Sequence, residues 1–171
     1  KGLLRFSGPL ATGLAPQAVA SSAIPEGTIR TTLCLEVGLL NCRSLAKHQT
    51  EIFTLLQSNS FDILTLTETW LTPDSSPDMI AVFPPGFTII HADREGGRRR
   101  GCVAIILRSN IVYSTIFSGG VKGAEVLGVK LTIDSKHVII LATYRPPHNT
   151  PEFNESFLEL VSSMCSSFKQ V

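Results

Sequence analysis

The sequence predicts an α/β fold in which a sheet is covered by helices. Three observations predict it. Apolar residues make up 43% of the 171 residues and charged residues 17%, which is enough to bury a core. The strand-like segments are apolar on both faces, as in sheets covered on both sides. Finally, the segments follow the order strand, helix, many strands, helix, which is neither steady βαβ alternation nor an all-β series.

The first elements follow a leader. Residues 1–31 scatter Gly, Pro, Ala and Ser without a period, so we predict a flexible leader there and a folded domain over 32–171. A first strand is expected over residues 33–40. A helix is expected to follow, because Leu45, His48, Ile52, Leu55 and Leu56 fall on one helical face. Ser44 precedes this face and is predicted to be the N-cap.

The rest of the chain is mostly strand. Further strands are predicted over residues 61–69, 87–92, 101–108, 111–117, 125–133 and 136–144. The last two flank Asp134-Ser135, which is typical of a hairpin turn. A helix is predicted over 155–168, with an apolar face made of Phe157, Leu158, Val161 and Met164.

Polar side chains stand at the ends of three predicted strands. Asn41 ends the first, Tyr144 ends the last, and Glu68 follows Leu64 and Leu66 on what alternation makes the same face. A carboxylate at the edge of a core is costly unless it binds a cation or hydrogen-bond donors, and Mg²⁺ prefers oxygen ligands. Strand ends also meet water, so simple solvation of each side chain remains open.

Charge points to a partner only locally. The net charge is +1, so the overall balance predicts none. Five arginines nevertheless fall within fifteen residues: Arg94, Arg98, Arg99, Arg100 and Arg108. This cluster could meet phosphate, or it could be a solvated loop.

The cysteines and the hydropathy bear on location. No two of the four cysteines are spaced as C-x-x-C, and three of them lie in apolar strand or helix patterns. This favours buried free thiols and a reducing compartment. No apolar run approaches the roughly 20 residues of a membrane span, and no signal-like stretch follows Lys1. We therefore expect an intracellular protein, nuclear or cytoplasmic, without a membrane partner.

Four motifs at these strand ends resemble one family. In chain order they are Leu39-Leu40-Asn41-Cys42-Arg43-Ser44-Leu45, Phe61-Asp62-Ile63-Leu64-Thr65-Leu66-Thr67-Glu68-Thr69-Trp70-Leu71, Gly101-Cys102-Val103-Ala104-Ile105 and Tyr144-Arg145-Pro146-Pro147. Together they resemble the exonuclease/endonuclease/phosphatase superfamily, and within it the apurinic-endonuclease-like domain of vertebrate non-LTR (LINE-type) retrotransposons. The resemblance extends from about residue 33 to about residue 168.

The resemblance implies that the chain forms part of a four-layer α/β sandwich with mainly antiparallel sheets flanked by helices, and it also implies a site and a reaction. It implies Mg²⁺-dependent hydrolysis of phosphodiester bonds in DNA. Glu68 matches the metal-binding glutamate, Asn41 the asparagine beside the metal, and Tyr144 the tyrosine that contacts the scissile phosphate. The residues expected to contact the nucleic acid are Arg43, Arg98, Arg99, Arg100 and Arg145.

Two family motifs are missing. The chain contains neither the Asp-x-Asn pair nor the terminal Ser-Asp-His-type motif that activates water and completes the metal site. We therefore expect the N-terminal portion of the domain, inactive as this chain, with an uncovered apolar face that favours self-association. Two alternatives remain open: a non-catalytic remnant that binds nucleic acid or protein, and another phosphodiesterase or phosphatase branch of the superfamily.

Overall fold

Two sheets pack face to face in the computed structural model, which describes residues 3–9, 34–72, 83–92, 101–133, 136–146 and 152–167. The elements are β1 (Leu3–Pro9), β2 (Cys34–Asn41), a 3-10 turn (Ala46–His48), α1 (Gln49–Ser58), β3 (Ile63–Thr67), β4 (Phe87–Ala92), β5 (Val103–Arg108), β6 (Val112–Val121), β7 (Ala124–Ile133), β8 (Lys136–Tyr144) and α2 (Glu152–Ser167). Sheet A has the order β1-β2-β3-β5-β4, and sheet B has the order β6-β7-β8. Only β2 and β3 pair in parallel among these strands. The predicted α/β class with mainly antiparallel sheets is confirmed.

The one parallel pair fixes which strand ends meet. A parallel connection needs a crossover, and α1 supplies it between β2 and β3. The carboxyl ends of both strands therefore lie at one edge of sheet A, where Asn41 pairs with Thr67. β5 runs antiparallel to β3 and begins at that same edge, since Thr67 also pairs with Val103.

Two hydrophobic cores hold the layers together. The outer core lies between α1 and sheet A and contains Leu45, Ile52, Leu56, Leu64, Leu66, Ala104 and Ile106. The inter-sheet core contains Ile63, Val103, Ile105 and Leu107 from sheet A and Leu127, Val129, Leu131 and Ala142 from sheet B. On the far side of sheet B, Met164 of α2 reaches Gly128, where a side chain would meet its Cε at 3.4 Å. The layers are thus α1, sheet A, sheet B and α2.

The amino-terminal segment departs from its predicted flexibility. Residues 3–9 form β1, which pairs antiparallel with β2 from Leu3↔Leu40 to Pro9↔Cys34. Arg5 reinforces the pairing through a 2.8 Å ion pair with Glu36 and by lying 5.2 Å over the Phe61 ring. The sequence pattern missed this strand because its pairing partner is distant in the chain. The remainder of the predicted leader lies outside the described residues.

The helix after β2 starts later than predicted. A 3-10 turn over Ala46–His48 comes first, and α1 begins at Gln49 with His48 as its N-cap. The N-cap assigned to Ser44 is therefore wrong, although the Ser44 hydroxyl oxygen does accept a 3.4 Å hydrogen bond from Lys47 N. The Asp134-Ser135 turn lies outside the described residues, while β7 and β8 on either side pair as the hairpin predicts.

The four cysteines all lie in described segments, and none is in a disulfide. Cys42 and Cys102 are buried as expected, whereas Cys165 is exposed on α2. Within the described residues, no helix is long and apolar enough to cross a membrane.

Candidate active site

The centre of the site is a hydrogen bond between Asn41 and Glu68. Asn41 Nδ2 donates to Glu68 Oε1 at 2.8 Å. The contact follows from the parallel pairing, because Asn41 is the last residue of β2 and Glu68 comes directly after β3. The sequence-predicted amide and carboxylate are therefore brought together.

Glu68 does not lie where strand alternation places it. Leu64 and Leu66 face the outer core under α1, and the sequence predicted that Glu68 would share their face. Instead β3 ends at Thr67, and Glu68 has a φ of 55°. That left-handed backbone ends the alternation and brings the Glu68 carboxylate to Asn41. Asn41 shares one face of β2 with Leu35 and Val37, and this face packs against the inter-sheet core.

Backbone hydrogen bonds from the β2–α1 loop hold this conformation. Ser44 N donates to Glu68 O at 2.8 Å, and Leu45 N donates to Thr69 O at 2.8 Å. Left-handed backbone at a non-glycine residue costs on the order of 1–3 kcal/mol, so the surrounding structure must stabilise it. Strain of this kind is concentrated at functional sites.

The two residues before β5 hold the same segment from its other side. Thr69 N donates to Cys102 O at 3.2 Å, and Trp70 N donates to Gly101 O at 3.1 Å. Gly101 has a φ of 108° and Cys102 a φ of 66°. The residues after Glu68 are thus fixed between the β2–α1 loop and the 101–102 turn, the name used below for Gly101 and Cys102.

Glu125 also lies at the candidate site, although it was not predicted from the sequence. It lies on β7, is 6% exposed, and accepts a hydrogen bond from Cys102 N through Oε2. A signal was present in the sequence: alternation from Leu127, Val129 and Leu131 puts Glu125 on the face that packs against sheet A. A carboxylate on such a face is the same anomaly that drew attention to Glu68.

Tyr144 lies at the same end of the sandwich. It ends β8 and pairs directly with Glu125, so both side chains point from sheet B towards sheet A. Tyr144 is partly buried and packs against the inter-sheet core. Through Glu125 and the 101–102 turn, Tyr144 is connected to the edge of sheet A that carries Asn41 and Glu68.

The arginines separate into different environments. Arg43 follows β2, is exposed and has a φ of 48°. Arg145 follows Tyr144, donates from Nη1 to Asn154 Oδ1 at 3.1 Å and lies 5.0 Å over the Phe153 ring. Arg108 lies at the opposite end of β5, with Nε 3.5 Å from Asp62 Oδ1, so it does not join a phosphate-binding cluster at the site. The other members of the predicted cluster, Arg94, Arg98, Arg99 and Arg100, lie outside the described residues.

Polar atoms at the site are buried without a protein partner. Asn41 Oδ1, Thr69 Oγ1 and Trp70 Nε1 have no hydrogen-bond partner within the described segments. Buried polar groups are usually hydrogen-bonded, so these atoms are available to a water, an ion or a ligand at the site. The described residues do not, however, group three or more His, Cys, Asp or Glu side chains as a metal cluster.

Comparison with known proteins gives the family context. The model of the endonuclease/exonuclease/phosphatase family matches residues 38–161. The chain is 26% identical over 113 residues to the RNA-directed DNA polymerase from the mobile element jockey of Drosophila melanogaster. That match covers 66% of this chain but 12% of the relative, so the chain spans a small part of that protein.

A solved structure shows the same fold. AP endonuclease LMAP from Leishmania major superposes with a TM-score of 0.61 at 16% identity, covering 73% of this chain and 47% of that one. The 3'-5' exonuclease NExo from Neisseria meningitidis superposes with a TM-score of 0.48 at 19% identity, covering 78% and 53% of the two chains. The chain therefore spans about half the length of the solved structures it matches.

Proposed function

The chain belongs to the endonuclease/exonuclease/phosphatase family, and we propose that it is the amino-terminal part of a Mg²⁺-dependent DNA endonuclease domain of the retrotransposon type. The observation that carries the proposal is the Asn41–Glu68 hydrogen bond at the edge where β2 and β3 end. The jockey relative supports the retrotransposon assignment, and the AP endonuclease fold supports DNA as the substrate class.

The residues present fit a magnesium ion. Mg²⁺ is usually bound by one or two carboxylates together with waters and substrate phosphates, rather than by a cage of protein ligands. Glu68 supplies a carboxylate, and the Asn41 amide oxygen is buried without a protein partner. A site with these two oxygen donors suits this mode of binding better than a structural zinc site, which is closed by four Cys or His ligands.

We assign separate roles to the three site residues. Glu68 holds the ion, and Asn41 orients the Glu68 carboxylate through its amide N–H. Tyr144 donates its hydroxyl proton in a hydrogen bond to a phosphate oxygen without adding charge. The bound Mg²⁺ would neutralise the phosphate and the charge that develops on the leaving oxygen. Arg43 and Arg145, both exposed beside these residues, would contact the DNA backbone.

The chain alone is proposed to be inactive. It spans 47% of the length of the AP endonuclease, and the motifs that the family uses to activate water do not occur in it. A general base is typically worth about 10²–10⁴-fold in rate. The second half of a family domain would supply that base and the remaining contacts to the ion and the phosphate.

A plasmid-nicking assay tests this function. Supercoiled plasmid and Mg²⁺ are incubated with the chain, with the chain extended by the second half of a family domain, and with the extended Glu68→Ala variant. We expect nicking by the extended protein alone. Nicking by the 171-residue chain would contradict the proposal that it lacks groups needed for catalysis. Salt-dependent DNA binding without cleavage in any form would favour a binding remnant, and phosphate release from a lipid headgroup would favour another branch of the family.

A further inference from the structure

We propose that Glu125 is a positioning residue for the Glu68 carboxylate and acts on it through the 101–102 turn. This inference rests on the proposed function, in which Glu68 holds the metal ion. Glu125 lies on β7 of sheet B, where it pairs directly with Tyr144 of β8, whereas Glu68 follows β3 of sheet A.

The burial of Glu125 requires an explanation. Its side chain is 6% exposed and lies on the face of β7 that carries Leu127, Val129 and Leu131. A carboxylate in an apolar layer is unfavourable unless it accepts hydrogen bonds. The Cys102 N–H, itself buried, donates to Glu125 Oε2. This hydrogen bond joins sheet B to the residue that directly precedes β5 of sheet A.

The 101–102 turn is shaped around that carboxylate. A Cβ at Gly101 would lie 2.6 Å from Glu125 Oε2, closer than real Cβ contacts allow. Gly101 also has a φ of 108°, which a side chain disfavours. Glycine at position 101 therefore leaves room for Glu125, and Cys102 adopts its own left-handed φ of 66° beside it.

The turn in turn fixes the residues after Glu68. Its two carbonyl oxygens accept hydrogen bonds from Thr69 N and Trp70 N. The Glu68 carbonyl is held from the other side by Ser44 N. A displacement of the 101–102 turn would thus reach the Glu68 peptide through Thr69, and Glu68 needs its φ of 55° to meet Asn41.

The expected size of the effect follows from how metal ligands are supported. Residues that orient a ligand without touching the ion typically alter metal affinity about 10–100-fold when they are changed. Glu125→Leu keeps a buried side chain of similar size and removes the acceptor of the Cys102 N–H. Glu125→Gln keeps a carbonyl acceptor and removes the negative charge.

The test uses the 171-residue chain and its single tryptophan. Trp70 lies two residues after Glu68 and donates its backbone N–H to Gly101 O, so its fluorescence reports on this junction. Mn²⁺ is titrated into each variant, and its quenching of Trp70 gives the dissociation constant. Leu131→Ala is the matched control, because it weakens the same strand near its other end. All proteins are measured well below their melting temperatures.

We expect Glu125→Leu to shift the Trp70 emission and to weaken Mn²⁺ binding about 10–100-fold, while Glu125→Gln stays close to the parent. Leu131→Ala should lower the melting temperature without either change. Unchanged emission and affinity in Glu125→Leu would overturn the proposal, and so would equal losses in Glu125→Leu and Leu131→Ala. If the parent chain does not bind Mn²⁺, the proposed metal role of Glu68 is wrong. The Trp70 emission of the Glu125→Leu and Glu125→Gln variants then still shows whether Glu125 controls the backbone between Glu68 and the 101–102 turn.

Discussion

The Asn41 side-chain amide donates a 2.8 Å hydrogen bond to Glu68 Oε1 across 27 residues of chain. The parallel pairing of β2 and β3 makes this contact, because Asn41 and Thr67 are in register.

The first prediction concerns Asn41→Asp. A second carboxylate beside Glu68 should lower the melting temperature in metal-free buffer, because two like charges would lie within hydrogen-bond reach. Added Mg²⁺ should relieve the repulsion and raise the melting temperature more than it does for the parent chain. Thermal unfolding with and without Mg²⁺ measures this. Asn41→Leu is the control, since it removes the hydrogen bond without adding charge; equal Mg²⁺ responses in the two variants would contradict the site.

Gly101 and Gly86 offer a matched pair for testing the 101–102 turn. Both have a positive φ, of 108° and 87°, but a Cβ at Gly86 meets nothing within 4 Å. Gly86→Ala should therefore cost only the left-handed backbone penalty, about 1–2 kcal/mol. Gly101→Ala should cost about 1–3 kcal/mol more, because its Cβ displaces the Glu125 carboxylate. The free energy of unfolding in denaturant measures both. Equal costs would mean that Glu125 does not occupy the space beside Gly101.

Arg145 is expected to contribute to DNA binding. Its guanidinium is held by Asn154 and Phe153 beside Tyr144. Arg145→Gln should weaken binding to duplex DNA and reduce the slope of log affinity against log salt by about 0.9, the value for one phosphate contact. Arg108→Gln is the control, because Arg108 pairs with Asp62 at the other end of β5. A slope lowered equally by both changes would indicate general charge effects instead of a contact at the site.

The amino-terminal strand is expected to limit self-association. Deleting residues 1–9 removes β1 and exposes the hydrogen-bonding edge of β2. The shortened chain should form larger species at the same concentration, measured by light scattering after size-exclusion chromatography. The control is Leu4→Lys, which keeps β1 but replaces a side chain that is 54% exposed. This variant should associate less than the parent. If the deletion reduced self-association, β1 itself would be the strand through which the chains associate.

Strand alternation predicted much of the fold and part of the site. β4 and β8 have the predicted bounds, and Asn41 and Tyr144 could be proposed as site residues because each ends an apolar strand. The pattern failed at Glu68, since a positive φ ends the alternation that placed it with Leu64 and Leu66. It also missed β1, whose stability comes from pairing with a strand 25 or more residues away.

Glu125 shows a different limit of sequence reasoning. Its alternation with Leu127 was readable, but its partner is a backbone N–H in the other sheet. Side-chain periodicity carries no information about which backbone group a buried carboxylate will meet. The contact depends on how the two sheets pack against each other.

The proposal that Glu68 holds the metal ion is tested most directly by calorimetry. Mn²⁺ binding is measured for the 171-residue parent chain and for its Glu68→Gln variant. The Gln side chain preserves size and can still accept from Asn41 Nδ2, so the fold should be retained while the charge that holds the ion is lost. We predict one site in the parent and at least about 10-fold weaker binding in Glu68→Gln. Equal affinity in the two proteins would show that Glu68 does not hold the metal, and the assignment of this edge as the nuclease site would fail.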